Sequence, residues 1–401
     1  MDFQTLTGLT QDADTKIVLL VLDGLGGLPR EPDGPTELEA ADTPNLDRLA
    51  QRSTCGLIEP VGAGITPGSG PGHLALFGYD PLRYTVGRGV LSALGIDFDL
   101  RPDDVAARGN FCTVDSEGRV TDRRAGRIGD DENAALCERL REIEVDGAEL
   151  LVETVREYRL LLVLRGDGLA PDVADTDPQA TGVEPHDPEP RSPDAEKTAR
   201  IVAQFLEQAR ERLADQDRAN MVLLRGFDQR PNWPRFGDTF ALRAAAIADY
   251  PMYRGVARLV GMDVLQTEAG LDAHVETLKA HWGDFDFFFV HQKQPDSAGE
   301  DGDFERRVSL LEEADERLPR ILDLEPDVLL VTGDHSTPAV LRQHSWHPVP
   351  ALLWSKTARP DGTSAFSEAA CRGGGLGPRL PATDLMSLAL AHAMRLQKFG
   401  A

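Results

Sequence analysis

Carboxylate and imidazole side chains follow three strongly apolar segments of the sequence. They are Asp23 after Ile17–Leu22, Asp296 and Glu300 after Phe285–Val290, and Asp334 with His335 after Val328–Val331. Apolar runs of this length predict buried strands. Ligands gather beyond the carboxyl ends of strands in an open parallel sheet, so we expect these side chains to converge. A single aspartate in such a place also suits a helix cap or a turn.

Several carboxylates that converge in a cleft repel one another unless cations lie between them. His344 adds a further imidazole donor. This mixture of oxygen and nitrogen ligands suits Mn²⁺, Zn²⁺ or Mg²⁺ better than a set of thiolates would. The coincidence of three such segments with the Asp334-His335 pair therefore favours a metal site over isolated caps.

Residues 62–73, with the sequence GAGITPGSGPGH, place Ser69 among glycines. Glycines let backbone N–H groups approach an anion, and a serine near a metal ion becomes a nucleophile at neutral pH. One alternative is a nucleotide-binding loop, which the missing Gly-Lys-Ser/Thr disfavours, and the other is a plain glycine-rich turn. His73 either orients this segment or simply packs, and we favour the structural role.

Basic residues cluster at a few places in an otherwise acidic chain. The candidates are Arg123, Arg124 and Arg127, then Arg225 and Arg230, then Arg254 and Lys293. Guanidinium groups bind carboxylate and phosphate oxygens through paired hydrogen bonds, which suggests an anionic substrate. The alternative is that these are surface arginines paired with neighbouring aspartates.

Short apolar segments alternate with helical patterns along the chain, as in a parallel sheet flanked by helices. Val349–Trp354 is a further expected strand, and a helix is expected near 194–213. Residues 166–193 are rich in Asp, Pro and Gly and predict a long loop. We expect an α/β fold with a discontinuous main domain at 1–107 and 240–401, interrupted by a smaller α/β domain at 108–239.

Composition limits the partners of the chain. Its 401 residues are too many for one typical core, and its net charge of -25 disfavours nucleic acid and anionic membranes. The four cysteines are scattered, which suggests reduced thiols in a cytoplasmic protein. Neither a signal peptide nor an apolar run near the roughly 20 residues of a membrane span is visible.

With these residues in view, the sequence resembles the archaeal-type cofactor-independent phosphoglycerate mutases of the alkaline phosphatase superfamily. The matching segments are Leu22–Gly27, Thr43–Ala50, Thr66–Pro81, Gly87–Ile96, Arg108–Asp115, Asp122–Arg127, Asp296–Glu305, Thr332–Pro338 and His344–Pro350. The resemblance covers nearly the whole chain. It implies an alkaline-phosphatase-like, mostly parallel sheet, with the inserted domain binding substrate.

The resemblance also implies interconversion of 3-phosphoglycerate and 2-phosphoglycerate without bisphosphoglycerate. It makes Ser69 the nucleophile, which takes the phosphoryl group as phosphoserine and returns it to the other hydroxyl of glycerate. The inserted domain would close to exclude water. The implied ligands of one metal ion are Asp23, Ser69, Asp334 and His335, and those of the other are Asp296, His344 and residue 300. The implied ions are Mn²⁺ or Mg²⁺, with Co²⁺ and Zn²⁺ as alternatives.

Glu300 departs from the family pattern, which has histidine at this position. Glutamate is a harder ligand than imidazole, so it favours hard cations and leaves the metal preference open. His347 and His291 are two candidates to compensate for the missing imidazole. Among the basic residues, the resemblance supports Arg123, Arg124 and Arg225 as substrate-binding residues, and Arg254 and Lys293 less directly.

Two other functions stay open at this point. A phosphatase or phosphodiesterase of the same superfamily would share the metal site but release phosphate. A catalytically idle relative would bind phosphoglycerate or a metal without turnover, and Glu300 is the residue that motivates this alternative. The assembly state is also open, since a homo-oligomer and a monomer fit the sequence equally well.

Overall fold

The computed structural model describes residues 3–400; residues 1, 2 and 401 of the expected main domain lie outside the described residues. The strands are β1 Ile17–Leu22, β2 Thr54–Glu59, β3 Val105–Val114, β4 Val120–Asp122, β5 Glu149–Arg156, β6 Arg159–Arg165, β7 Met221–Asp228, β8 Ala244–Ile247, β9 Asp263–Val264, β10 Phe287–Gln292, β11 Val328–Thr332, β12 Val349–Ser355 and β13 Gly377–Pro381.

The helices are α1 Phe3–Thr7, α2 Glu37–Ala40, α3 Pro44–Ala50, α4 Ser69–Leu76, α5 Arg88–Gly95, α6 Asp130–Arg141, α7 Glu196–Arg212, α8 Phe236–Phe240, α9 Pro251–Leu259, α10 Leu271–Ala280, α11 Gln294–Asp301, α12 Phe304–Leu322, α13 Glu368–Cys371 and α14 Asp384–His392. Short 3₁₀ turns cover Ala125–Arg127 and Pro193–Ala195. Residues 166–193, which were expected to form a long loop, contain no β-strand.

The strand order of the eight-stranded sheet is β13-β2-β12-β11-β1-β10-β8-β9. Strands β11, β1, β10 and β8 run parallel, whereas β12 is antiparallel to both of its neighbours, so the sheet is mostly parallel. All residues of β1, β10 and β11 are buried. Helices cover both faces of a parallel sheet, which explains why these strands are continuous apolar runs.

The register of the three central strands brings their carboxyl ends to one edge of the sheet. Leu22 of β1 lies opposite Gln292 of β10, and Val21 lies opposite Thr332 of β11. The residues that follow these strands therefore emerge side by side. The predicted strand at 17–22 has the predicted bounds, while β10 begins and ends two residues later than predicted.

A second sheet is formed by β3 to β7, with the order β4-β3-β6-β5 and with β7 paired to β3. All the strand pairs in this sheet are antiparallel among the described residues. Helix α5 packs against β3 and β7, α6 against β5, and α7 against β7. One face of the sheet joins α6 and α7 in an apolar core that includes Phe111, Leu162 and Phe205.

The chain forms two compact units, Met1–Thr85 with Trp233–Ala401, and Val86–Asn232. The boundaries expected from the sequence were 107/108 and 239/240, so both lie later in the chain than the structural ones. The expected boundary at 107 falls inside β3, whose residues pair with β6 and β7 over the same stretch. Helix α5 belongs to the second unit because it packs on this sheet.

Two further structural facts bear on the sequence-based expectations. Among residues 3–400, no helix combines the length and apolar character that crossing a bilayer requires. The four cysteines are all buried, and none forms a disulfide within the described part of the chain.

Candidate metal and phosphoryl-transfer site

Asp23 and the pair Asp334-His335 occupy the edge where the central strands end. Asp23 follows β1 directly, and its backbone N–H donates to the carbonyl of Gln292 at 3.0 Å. Asp334 and His335 follow β11 after Gly333, and the side chains of Asp23, Asp334 and His335 are fully buried. The convergence expected from the sequence is thus present in the structure.

Ser69 is the first residue of α4 and is half-buried. A helix N-terminus presents unpaired N–H groups and a positive partial charge, both of which favour anions. Gly72 allows α4 to approach the loop after β11, because a Cβ atom at this position would collide with the backbone of Asp334. The ring of His73 holds the same turn, since its Nδ1 lies 2.8 Å from the carbonyl oxygen of Ser69.

Asp23, Asp334 and His335 form a group that we call site A. His335 Nε2 lies 3.3 Å from Asp23 Oδ1, 3.1 Å from Asp334 Oδ2 and 3.3 Å from Ser69 Oγ. Asp23 Oδ1 is buried and receives no hydrogen bond from residues 3–400, and Asp334 Oδ2 is buried beside imidazole nitrogens of His73 and His335, each 3.1 Å away. Buried carboxylate oxygens without donors are costly unless a cation binds them, so these donors fit a divalent ion.

Asp296, His335 and His344 form a second group, which we call site B. Asp296 lies on α11, and its Oδ1 is 3.6 Å from His344 Nε2 and 3.9 Å from His335 Nδ1. The rings of His335 and His344 stack with their centroids 3.6 Å apart. His344 Nδ1 lies 2.9 Å from the carbonyl oxygen of Pro67, which ties site B to the segment before Ser69.

The second oxygen of Asp23 is held by the protein itself. Tyr253 donates a short hydrogen bond to Oδ2, and His291 Nε2 lies 3.3 Å from the same atom. Burial alone would raise the pKa of Asp23, but Lys293 and His291 hold it well below its usual value. Burial and the neighbouring Asp23 raise the pKa of Tyr253 well above its usual value. Asp23 is thus an ionised carboxylate with Oδ1 left for a ligand.

Glu300 joins neither group of potential ligands among the described residues. It is exposed near the end of α11, one helical turn beyond Asp296. The cation next to Asp296 is instead Lys293, which forms a short ion pair with it and lies 3.5 Å from Asp23 Oδ2. Glu300 is exposed, so the structure does not place its carboxylate with the ligands that were expected beside it.

The other histidines considered from the sequence occupy different places. His291 lies in β10 and contacts Asp23 rather than site B. His347 is hydrogen-bonded to Ser345 through Nδ1 at 3.0 Å. His73 Nδ1 lies 3.1 Å from Asp334 Oδ2, and although burial lowers its pKa, Asp334 raises the pKa above the usual value.

The second unit carries an arginine group, which consists of Arg88, Arg108, Arg159 and Arg225. Arg108 of β3 lies directly opposite Arg225 of β7, and Arg159 of β6 lies opposite Asn110 of β3. Side chains alternate between the two faces along each strand, and directly paired residues share a face. Arg108, Arg225 and Arg159 therefore lie on the sheet face opposite the apolar core. Like charges in opposite positions are destabilising, which suggests that this face is kept for binding anions.

The arginine group is electrostatically strained without an anion. Burial and the neighbouring Arg88 lower the pKa of Arg108 to about 9, and burial and Arg225 lower that of Arg88 to about 10. The Nε atoms of Arg108 and Arg225 are buried and have no hydrogen-bond partner in residues 3–400. A phosphate or carboxylate would supply the missing acceptors.

The remaining predicted basic residues differ in their surroundings. Arg123 binds Asp177 with two hydrogen bonds of 2.9 and 2.7 Å, and Arg225 lies 3.5 Å from the same carboxylate. Arg124 is exposed. Arg254 follows Tyr253 on α9, and its Nε atom is buried without a partner among the described residues.

Several residues at these sites were not found from the sequence. Tyr253 reaches Asp23 across 230 positions of the chain, and Thr337 contacts both sites through its hydroxyl group. Arg88 and Arg108 lie inside the segments that carried the family resemblance, and period-2 alternation along β3 could have indicated the direction of Arg108.

Comparisons with known proteins identify one family, and the curated relatives match nearly the full length of the chain. The profile of the family described as 2,3-bisphosphoglycerate-independent phosphoglycerate mutase matches residues 50–218. A Thermus thermophilus protein named as a probable member is 52% identical over 404 residues, which cover 100% of this chain and 99% of that relative. A Deinococcus radiodurans protein with the same name is 49% identical, covering 99% of this chain and 98% of the relative.

Solved structures give the same result for the fold. A protein from Pyrococcus horikoshii has a TM-score of 0.84 and 31% identity, over 96% of this chain and 99% of that chain. The cofactor-independent phosphoglycerate mutase of Thermoplasma acidophilum has a TM-score of 0.67 and 28% identity, over 94% of this chain and 100% of that chain. The predicted fold class is confirmed, and the chain belongs to the 2,3-bisphosphoglycerate-independent phosphoglycerate mutase family.

Proposed function

We propose that the chain interconverts 3-phosphoglycerate and 2-phosphoglycerate without bisphosphoglycerate, through a phosphoserine at Ser69. Family membership confirms the mutase function and the isomerase class that the sequence predicted. The observation that carries the proposal is the position of the Ser69 hydroxyl, which lies 3.3 Å from His335, the residue shared by sites A and B. A hydroxyl beside two cation sites is the arrangement that phosphoryl transfer requires.

Two divalent ions complete the proposal. Asp23, Asp334 and His335, with Ser69, would hold one, and Asp296 and His344 would hold the other. When bound, such ions offset the charge that develops on the attacking and leaving oxygens. The ligands are carboxylates and imidazoles, which supports Mn²⁺ or Mg²⁺ and leaves Co²⁺ and Zn²⁺ as alternatives. Glu300 would take part only after its exposed side chain turned toward Asp296.

The protein's own groups position the serine and the phosphoryl group. Ser69 begins α4, and the positive end of this helix favours negative charge next to the Ser69 hydroxyl. Ser69 attacks phosphorus, the glycerate oxygen leaves, and the phosphoryl group returns from Ser69 to the other hydroxyl of glycerate. Lys293 adds a positive charge next to Asp23 and Asp296.

Anion binding is the proposed role of the basic residues. We assign Arg225, Arg123 and Arg254 to the carboxylate and phosphate of the substrate, and we add Arg88, Arg108 and Arg159 to this set. The unpartnered Nε atoms of Arg108 and Arg225 support this assignment. Arg124 is exposed, so its assignment rests on the sequence resemblance. The buried, free cysteines support the proposed cytoplasmic location.

The test uses the full-length protein after chelation of bound metal. Each of Mn²⁺, Mg²⁺, Co²⁺ and Zn²⁺ is added back with 3-phosphoglycerate, and 2-phosphoglycerate is measured through an enolase-coupled readout. We expect metal-dependent mutase activity that Ser69→Ala abolishes. Ser53→Ala is the matched control, because the hydroxyl of this buried serine donates to the carbonyl of Leu49 in the same unit, and its loss should leave activity unchanged.

Parallel measurement of free phosphate separates the alternatives. Phosphate release faster than formation of 2-phosphoglycerate would indicate a phosphatase. Absence of both products with every metal ion would indicate a catalytically idle relative. Wild-type turnover by Ser69→Ala would overturn the proposed mechanism.

A further inference from the structure

Thr337 lies between the two candidate cation sites without belonging to either. Its side chain is fully buried. Its Oγ1 lies 2.6 Å from Asp296 Oδ1 in site B and 2.9 Å from His335 Nδ1, the ring nitrogen opposite the one that faces site A. This single hydroxyl group therefore contacts an acid of one site and the imidazole that both sites could use.

The hydroxyl of Thr337 is held in place by the backbone around it. The N–H of Thr337 lies 3.1 Å from the carbonyl oxygens of both Gly24 and Gly26 in the turn that follows Asp23. Gly24 has a φ of 69°, and a Cβ atom there would lie 2.6 Å from Thr337 Oγ1. Glycine at position 24 thus serves both the left-handed turn and the space for this hydroxyl.

The proton positions follow from the chemistry of the three groups. Asp296 is ion-paired with Lys293, so it is a carboxylate and can only accept a hydrogen bond. A threonine hydroxyl has one proton, which therefore goes to Asp296. His335 Nδ1 must then carry a proton and donate it to Thr337. In a neutral imidazole with a proton on Nδ1, Nε2 keeps its lone pair.

We propose that Thr337 is a positioning residue that assigns His335 to site A by fixing its Nε2 lone pair toward Asp23 and Asp334. His335 Nε2 lies within 3.3 Å of an oxygen of each of these residues, and Asp23 Oδ1 lacks a donor among residues 3–400. Because Nδ1 is engaged, site B keeps Asp296 and His344 as its protein ligands. This inference rests on the metal centre of the proposed function.

The test compares Thr337→Val, which removes the hydroxyl, with Thr337→Ser, which retains it. Metal-free protein is titrated with Mn²⁺, and bound and free ions are measured by electron paramagnetic resonance. We expect the wild type and Thr337→Ser each to bind two Mn²⁺ ions, and we expect the affinity of each site to be similar in the two proteins. In Thr337→Val we expect the affinity of site A to fall by about 10- to 100-fold, as loss of a ligand's hydrogen-bond partner does elsewhere.

Thr332→Val is the matched control for loss of a buried hydroxyl. Thr332 ends β11, is 1% exposed and donates to the carbonyl of Pro350 at 2.8 Å rather than to a ligand. We expect its Mn²⁺ affinities to match the wild type. The tautomer of His335 is measured independently in metal-free protein labelled with ¹⁵N-histidine. The signal of His335 is identified by its absence in the His335→Gln variant. We expect a proton on Nδ1 of His335 in the wild type and Thr337→Ser.

The outcomes separate this inference from the proposed function. Unchanged Mn²⁺ affinities in Thr337→Val, or a proton on Nε2 of His335 in the wild type, would overturn the role of Thr337 alone. An equal loss in Thr337→Ser and Thr337→Val would assign the effect to general packing around position 337 rather than to the hydroxyl, and would also overturn it. A wild type that binds no Mn²⁺ would instead contradict the metal centre.

Discussion

Asp177 is buried in the second unit between two arginine side chains. Its carboxylate accepts two hydrogen bonds from Arg123 and lies 3.5 Å from Arg225. Burial alone would raise the pKa of Asp177, but the hydrogen bonds from Arg123 hold it below the usual value of 3.8. Asp177 therefore orients Arg123 and offsets part of the repulsion among the basic side chains near it.

At the residue scale, we expect Asp177→Asn to lower stability at pH 7 by about 1–3 kcal/mol, because the arginines lose a buried acceptor. The folded pKa is depressed, so this contribution is present above pH 3.8 and is lost as pH falls through the folded pKa. The gap between the urea midpoints of wild type and variant should therefore narrow below about pH 4.

The control for this prediction is Asp215→Asn. Asp215 pairs with Arg139 in the same unit, but its side chain is 65% exposed, so solvent screens the pair. We expect no comparable loss of stability in this variant at pH 7. A gap for Asp177→Asn that stays constant from pH 7 to pH 3 would contradict the assigned role.

Helix α12 connects the ligand-bearing segments of the first unit. Arg307 of α12 is fully buried and donates to the carbonyls of Gly24 and Gly26 in the turn after Asp23. It also forms an ion pair of 2.9 Å with Glu37 of α2, which accepts from the N–H of Ala339 in the loop after β11. One buried cation thus holds two loops that carry Asp23, Asp334 and His335.

At the element scale, we expect Arg307→Met to weaken Mn²⁺ binding and to lower the unfolding temperature. Loss of one partner from a buried ion pair costs about 3–5 kcal/mol, because Glu37 is left as an uncompensated charge. Metal titration below the unfolding temperature separates the two effects. Both should appear together if the guanidinium group positions the turn.

The control for this prediction is Arg395→Met. Arg395 is also buried in the first unit and also donates to backbone carbonyls, those of Thr15 and Ala241. It should lower the unfolding temperature without changing Mn²⁺ affinity. An equal loss of Mn²⁺ affinity in both variants would mean that global destabilisation, rather than the turn after Asp23, is responsible.

The molecule as a whole carries a net charge of -25, from 67 acidic and 42 basic residues. Self-repulsion at such a charge destabilises a compact chain. The ion pairs on the surface, such as Arg320 with Asp272 and Glu276, contribute little each because they are exposed. When salt is added, the stability gained by screening the overall repulsion should therefore exceed the stability lost by weakening these ion pairs.

At the scale of the whole molecule, we expect the midpoint of urea unfolding to rise between about 0.1 M and 1 M NaCl, as the Debye length falls from roughly 10 to 3 Å. Metal-free protein is used, so that ion binding at sites A and B does not contribute. KCl is the control for sodium-specific binding and should give the same rise. A midpoint that falls with both salts would show that attractive pairs dominate.

Features that depend on local chemistry could be predicted from the amino-acid sequence. The apolar run at 17–22 is short and rich in β-branched residues, which favours a buried central strand, so the position of Asp23 at the sheet edge followed. The glycines around Ser69 indicated a backbone that approaches another group closely. The α/β fold and the family could therefore be predicted from the sequence.

Contacts between side chains from distant segments of the chain became visible only in the three-dimensional fold. The pattern at 296–300 placed Glu300 one helical turn from Asp296, yet Glu300 is exposed and joins neither ligand group among the described residues. Thr337 and Arg307 reach the turn after Asp23 from far along the chain, and no local pattern reports such a contact. Their roles depend on packing between elements, which a one-dimensional pattern does not contain.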